Sequence, residues 1–418
     1  MAGGPRSGYK AKHSLARASA VAVAVAMLAA FGIRAGLGIA WRDRVYRFGD
    51  SQTYRRLAEN VVAGRGLVID RRGGDVGPDV RRADRMPAYP LVLAGLTALF
   101  GENAVSLVLL QALVGAVAVW LAFLLGREVY SPLAGVIAAV AMALAPWQVY
   151  FATLALTECW SAALLLMTVL CAVRAVRRNK LSWSVGAGAA CAALVTVHPE
   201  FLGLPALLLL AAVVVPGRRR WLAHWALAAA VVVVALLPWW VRNARVFGAL
   251  VPATTRLGVT LYDSVRPGAT GGTDMQFERE RAREMQGLDE LAYDAAYRRK
   301  SWDVMRSEPG RMVPLAMKKL GRLWSPVPNA WFAQAPFYRW ASILGFVPMV
   351  GGALLGAVVL LRRVSALALL LVPVAWVTMV HSVLVGSVRY RVPIEPMLLV
   401  LSALAVAWVV EGERKADD

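Results

Sequence analysis

Runs of about twenty apolar residues recur along the chain, separated by connections that are often only a few residues long. This pattern constrains the fold more than any motif. A helix needs about 20 apolar residues to cross a hydrocarbon core of about 30 Å, and only segments that satisfy their own backbone can span lipid. Of 418 residues, 59% are hydrophobic and 17% charged, and a water-soluble domain could not hide that much apolar surface. Candidate spans lie at 18–40, 103–125, 132–151, 153–173, 183–199, 201–215, 222–241, 337–361, 365–385 and 392–410, ten in all. The expected fold is therefore an all-α polytopic membrane protein, a single transmembrane domain over 1–418. The stretch 87–100 is apolar but too short to span, which suits an interfacial or re-entrant helix. Arg17 precedes an apolar run too long for a signal-peptide core, so the first span reads as a signal anchor. Cys159, Cys171 and Cys191 all fall inside apolar runs, without metal spacing, and no disulfide is expected.

The net charge is +20, which in a soluble chain would suggest nucleic acid; in a membrane protein it reports sidedness. Basic clusters without acids occur at Arg6, Lys10, Lys12 and Arg17, at 174–183, at Arg218–Arg220 and at Arg362–Arg363. With ten spans these clusters share one side with both termini. The positive-inside rule makes that side the cytoplasm of a cell-membrane protein. Two long loops, 41–86 and 242–336, then face outward, yet they too are net basic. Arg34 is the deepest charge and is expected to snorkel.

Chemistry is expected on this outer face. Asp50 sits just before a helical stretch beginning near Arg55, with Ser51, Thr53 and Tyr54 nearby; it suits an N-cap or a catalytic carboxylate, and the two roles are compatible. Arg85-Met86-Pro87-Ala88-Tyr89-Pro90 opens the short apolar helix, and Arg85 is placed to meet a phosphate or to snorkel at the interface. Glu158 lies a few residues inside apolar sequence, costly unless it faces a cavity or a partner. His198 and Glu200 mark an outer turn. Trp239-Trp240 form an aromatic belt, with Arg242 and Asn243 just beyond at the membrane surface. Arg389-Tyr390-Arg391 precede the last span from outside, where arginines run against the topology bias and a bound anion would explain them. Residues 275–306 carry apolar groups at helical spacing and suggest one amphipathic helix, lying on the membrane or over the site.

In order along the chain these signals resemble the GT-C superfamily of membrane glycosyltransferases, near family 39 (protein O-mannosyltransferases) and the lipid A aminoarabinose transferases. The residues that carry the resemblance are Asp50 with Tyr54, Gly64-Arg65-Gly66, Arg85 to Pro90, Thr157-Glu158, His198-Pro199-Glu200, Arg242-Asn243 and Arg389-Tyr390-Arg391-Val392-Pro393. Departures are Ala88 and His198, where the family commonly has Gly and Arg, and a single acid at position 50. The Trp-Trp-Asp motif of oligosaccharyltransferases is absent, which argues against transfer to asparagine.

The resemblance implies a sugar donor linked to a polyprenyl phosphate, attack by an acceptor hydroxyl of lipid, glycan or protein, and inversion at the anomeric carbon. It makes Asp50 and Glu158 the catalytic carboxylates. Arg389, Arg391, Tyr390, Arg242 and Arg85 would hold the donor phosphate, with Tyr54, His198, Glu200 and Asn243 as further site candidates. A phosphate leaving group needs charge stabilisation more than a proton, and arginines supply it. A divalent cation is compatible with this chemistry, but no ligand spacing demands one. The alternative class is a transporter or lipid-linked-sugar flippase; ionisable residues at the span ends rather than the midplane, and the lack of an inverted repeat, weigh against it.

Overall fold

The computed structural model describes residues 5–70, 77–280, 283–329 and 335–417. In chain order, α1 (Pro5–Ala40) is followed by the loop helix α2 (Gly49–Val62). A two-stranded antiparallel ribbon, β1 (Ile69–Asp70) with β2 (Val80–Arg81), leads into α3 (Ala88–Phe100). Next come α4 (Ala104–Val129), α5 (Pro132–Leu144), α6 (Pro146–Phe151), α7 (Glu158–Arg178), α8 (Leu181–Val197), α9 (Leu204–Leu210) and α10 (Arg218–Phe247). The second long loop carries α11 (Leu257–Val265), α12 (Gln276–Glu280), α13 (Glu290–Ser307) and α14 (Pro309–Leu323). The bundle resumes with α15 (Pro336–Val359) and α16 (Val364–Val383), then α17 (Val388–Arg391) and α18 (Glu395–Asp417).

Seven segments among the described residues are long and apolar enough to cross a membrane; they lie in α1, α4, α7, α10, α15, α16 and the run from α17 into α18. The chain is a multi-pass membrane protein. The other three expected spans, 132–151, 183–199 and 201–215, coincide with shorter apolar helices. Proline explains the first of these. Ala145 is extended (φ −57°, ψ 118°), as a residue preceding proline tends to be, and Pro146 starts a new helix at a new angle. Span 153–173 correspondingly begins only at Glu158, and 201–215 is a seven-residue α9 flanked by 3-10 turns.

Breaking α5 inside the bundle strands its last carbonyls. Arg34 answers them: it donates from Nη1 to Ala143 O at 3.1 Å and from Nη2 to Met142 O at 3.0 Å. Only 1% exposed, it does not snorkel. Its cation sits at the negative end of α5. The expected amphipathic helix over 275–306 is also two pieces, α12 and α13. The left-handed Gly287 (φ 80°) lies between them.

α15 packs on α18 through glycine. A Cβ on Gly356 would lie 1.8 Å from the Leu401 carbonyl oxygen, and one on Gly352 would lie 2.1 Å from Ser402 Oγ. This four-residue spacing is the small-residue seam of membrane helix pairs. Gly351, one position away, has no such neighbour. Gly356→Val is therefore expected to lower the melting temperature of the detergent-solubilised protein, at a cost of about 1–3 kcal/mol from overpacking, while Gly351→Val leaves it unchanged. Equal melting of both variants would show that the seam carries no stability.

Candidate functional site

The helix carrying Asp50 is capped by its neighbour. Ser51 Oγ accepts from Phe48 N at 3.2 Å and donates to Phe48 O at 2.7 Å, and the N-cap position belongs to Phe48. Asp50, relieved of that duty, points into a cluster of charges. Its Oδ1 accepts from Arg85 Nη2 at 2.6 Å and its Oδ2 from Arg389 Nη1 at 2.7 Å. Arg389 Nε in turn donates to Glu158 Oε1. On the other flank, Arg85 Nη1 lies 3.2 Å from Asp84 Oδ2. The result is an alternating row, Asp84–Arg85–Asp50–Arg389–Glu158, assembled from residues more than 300 positions apart.

Burial grades the row. Glu158, the first residue of α7, is 1% exposed, and its Oε2 has no hydrogen-bond partner among the described residues. The Asp50 side chain is 36% exposed, at the accessible middle. Desolvation pushes its carboxyl up, but Arg389 and Arg85 outweigh that and hold it well below the usual carboxylate range. Asp84 is drawn down to about 2; burial opposes this, and Arg85, Arg81 and Arg256 prevail. Tyr54 forms the wall below. It lies edge-on to Tyr89 with centroids 4.9 Å apart, under the Arg85 guanidinium at 5.9 Å, and burial pushes its phenol up to about 12.

The second long loop fixes the first. Glu290, the first residue of α13, accepts from the backbone N–H of Arg82 at 2.5 Å and of Ala83 at 2.9 Å, and from the Thr255 hydroxyl. Thr255 N donates to Ala83 O at 3.0 Å. These bonds seat the two residues just before Asp84 and Arg85, so the long loop aims Arg85 without touching Asp50.

Asp50, Arg85, Glu158, Arg389, Tyr54 and Tyr390 thus come together. Arg391 does not join them. Two residues beyond Arg389 on the same helical turn, it faces the opposite way and is fully buried. It donates to Leu323 O at 3.1 Å and Ser325 O at 2.9 Å and pairs with Glu395 at 3.1 Å. Arg242 is likewise elsewhere, donating to Asn243 Oδ1 at 2.9 Å and lying over Trp239. Asn243 ties the chain to Val251 O at 2.9 Å. His198 and Glu200 form a separate group with His381, whose ring stacks on Tyr390. Asp84, Arg256, Glu290 and His381 were not expected from the sequence. Asp84 left one trace there, an acid enclosed by Arg81, Arg82 and Arg85. Among the described residues, no group of three or more His, Cys, Asp or Glu is disposed to hold a metal ion.

Residues 84–241 match the family model described as dolichyl-phosphate-mannose-protein mannosyltransferase, a segment that includes Arg85, Glu158, His198 and Glu200. No curated protein matches the chain in sequence. Among solved structures, the chain is similar to the archaeal oligosaccharyltransferase of Archaeoglobus fulgidus in complex with an inhibitory peptide and a dolichol-phosphate. The TM-score is 0.61 at 16% identity, covering 94% of this chain and 50% of that one. The apo form of the Archaeoglobus fulgidus oligosaccharyltransferase gives a TM-score of 0.56 at 17% identity, over 94% and 51%. The chain spans about half the length of these proteins, and the likeness is one of fold. The chain shares the fold of these two membrane proteins over nearly its whole length. Its central segment is similar to the dolichyl-phosphate-mannose-protein mannosyltransferase family.

Proposed function

We propose that the protein transfers a sugar from a polyprenyl-phosphate-linked donor to an acceptor hydroxyl on lipid, glycan or protein, with inversion, at the outer face of the cell membrane. Both termini are then cytoplasmic, and loops 41–86 and 242–336 form the catalytic face. The observation that carries this reading is the shared grip of Arg85 and Arg389 on one partly exposed carboxylate. Two convergent guanidiniums are an anion clamp, and Asp50 occupies it in the free protein.

The donor phosphate competes with Asp50 for that clamp. As the arginines turn to the phosphate they neutralise the charge that grows on the leaving group, and Asp50 loses the two cations that suppress its basicity. It is then able to orient an acceptor O–H and take its proton. Glu158, buried against Arg389 Nε, keeps that guanidinium aimed while Asp50 lets go. Arg391, Arg242 and Asn243 serve as framework in this scheme, bracing the loops that carry the clamp.

The direct test supplies membranes containing the intact protein with a panel of radiolabelled polyprenyl-phosphate sugars. One label is expected to move to a lipid, glycan or protein fraction, and only when the protein is present. Failure of every donor to yield protein-dependent transfer would overturn the proposal.

A further inference from the structure

His381, near the outer end of α16, is buried between Glu200 and Tyr390. Its Nε2 lies 2.8 Å from Glu200 Oε2 and its Nδ1 2.7 Å from Val385 O. The imidazole stacks on the Tyr390 ring at 4.3 Å between centroids and 18° between planes. A carbonyl oxygen only accepts, so Nδ1 carries a hydrogen. An ionised carboxylate also only accepts, so the short Nε2–Oε2 contact needs a second proton, as imidazolium with carboxylate or as imidazole with carboxylic acid. Either way the pair holds one proton more than neutral imidazole facing a carboxylate.

The pair is anchored on its far side. Trp376 Nε1 donates to Glu200 O at 2.7 Å, and His198 Nδ1 stands 3.5 Å from Glu200 Oε1. On its near side it reaches the charge row in two steps, through Tyr390 to the adjacent Arg389, whose guanidinium lies 5.9 Å from the Tyr390 ring. The elements packed on α16 bring further charged groups: Lys319, donating to Val383 O, and Arg322, donating to Gly386 O, from α14; Glu158 from α7; Arg389 and Arg391 from α17; and Glu395 from α18.

We propose that the Glu200–His381 pair, by its shared proton, is a positioning device for the transfer reaction proposed above. It holds the imidazole flat against Tyr390 and so fixes α17 and the direction of the Arg389 guanidinium. Loss of the proton leaves one ring nitrogen bare, its lone pair facing either the carboxylate or the Val385 carbonyl oxygen, and either contact repels. The ring is then free to leave the stack, and Arg389 loses its bearing. Donor affinity therefore falls as pH rises through the titration of the pair. This inference rests on the transferase reading for its kinetic consequence but not for its structural one.

The test has two arms on the full chain in detergent or nanodiscs. In the first, 4-fluorophenylalanine replaces Tyr390, and its fluorine resonance is followed with pH. A titration is expected with His381 and Glu200 in place, and its loss is expected in His381→Gln, which keeps an N–H toward Glu200 but binds no proton. Glu200→Gln removes the carboxylate that favours the added proton, so the transition is expected to move to lower pH rather than vanish. An unchanged titration in His381→Gln overturns the coupling. In the second arm, KM and kcat for a labelled polyprenyl-phosphate sugar are measured with pH. The wild-type KM is expected to rise roughly tenfold on the alkaline side, the worth of one charge-assisted hydrogen bond, with kcat little changed. That rise should vanish in His381→Gln, and its persistence there overturns the proposal. If no sugar moves in any protein, the transferase reading fails while the fluorine arm still decides the coupling.

Discussion

Arg389→Met is expected to lower both stability and transfer, the stability effect being the larger of any single change in the charge row. Arg389 is the guanidinium shared by Asp50 and Glu158, and Glu158 is buried at the start of a membrane-spanning helix with one oxygen already unpartnered. Removing the cation leaves a buried carboxylate without compensation, a loss of about 3–5 kcal/mol in comparable sites. Transfer should fall by about 10²–10³, the usual effect of removing one charge-stabilising group. A double variant separates the two losses. Arg389→Met with Glu158→Gln removes the stranded charge and should recover most of the melting temperature but none of the activity. Arg389→Lys keeps the charge on a single point and is expected to hold one carboxylate but not bridge both. Melting of Arg389→Met at the wild-type temperature would show that Glu158 is satisfied in some other way, and the row would lose its structural meaning.

The bundle was legible because apolar length is a one-dimensional signal that lipid makes strict. What blurred it was proline. The run 132–151 satisfies the length criterion, yet Pro146 divides it, and the consequence for Arg34 followed unseen. A charge seven residues from the end of a span looks like a snorkelling arginine until the carbonyls it caps are known to be broken open. The charge cluster was legible where chemistry was costly: an acid inside apolar sequence at Glu158, and arginines flanking the apolar segments at 85 and 389. It was not legible in direction. Arg389 and Arg391 look equivalent in sequence, but two residues on a helical turn point to opposite sides, and only packing decides which one meets Asp50. His381 was hidden for a different reason. It lies in an apolar helix, where a lone histidine carries no pattern, and its partner Glu200 is 181 positions away.

Asp50→Asn is expected to abolish most of the transfer while leaving the protein folded. Each arginine that it releases retains another acid, Asp84 for Arg85 and Glu158 for Arg389, so no buried charge is stranded. The carboxylate is itself a third exposed, which keeps its own contribution to stability small. Activity should fall by about 10²–10⁴, the range for loss of a positioned base. The pH dependence separates this role from simple charge balance. Because Arg389 and Arg85 hold the Asp50 carboxyl below its ordinary 3.8, its charge is present above that value and is lost only as pH falls through the lower folded one. The acid limb of kcat/KM, which reports the free enzyme, is therefore expected below the usual carboxylate range. Once a donor phosphate has drawn the arginines away, the suppression lifts, and the acid limb of kcat should stand at higher pH than that of kcat/KM. Coincident limbs would mean that the clamp never leaves Asp50, and a folded Asp50→Asn protein with the wild-type rate would remove it from the chemistry altogether.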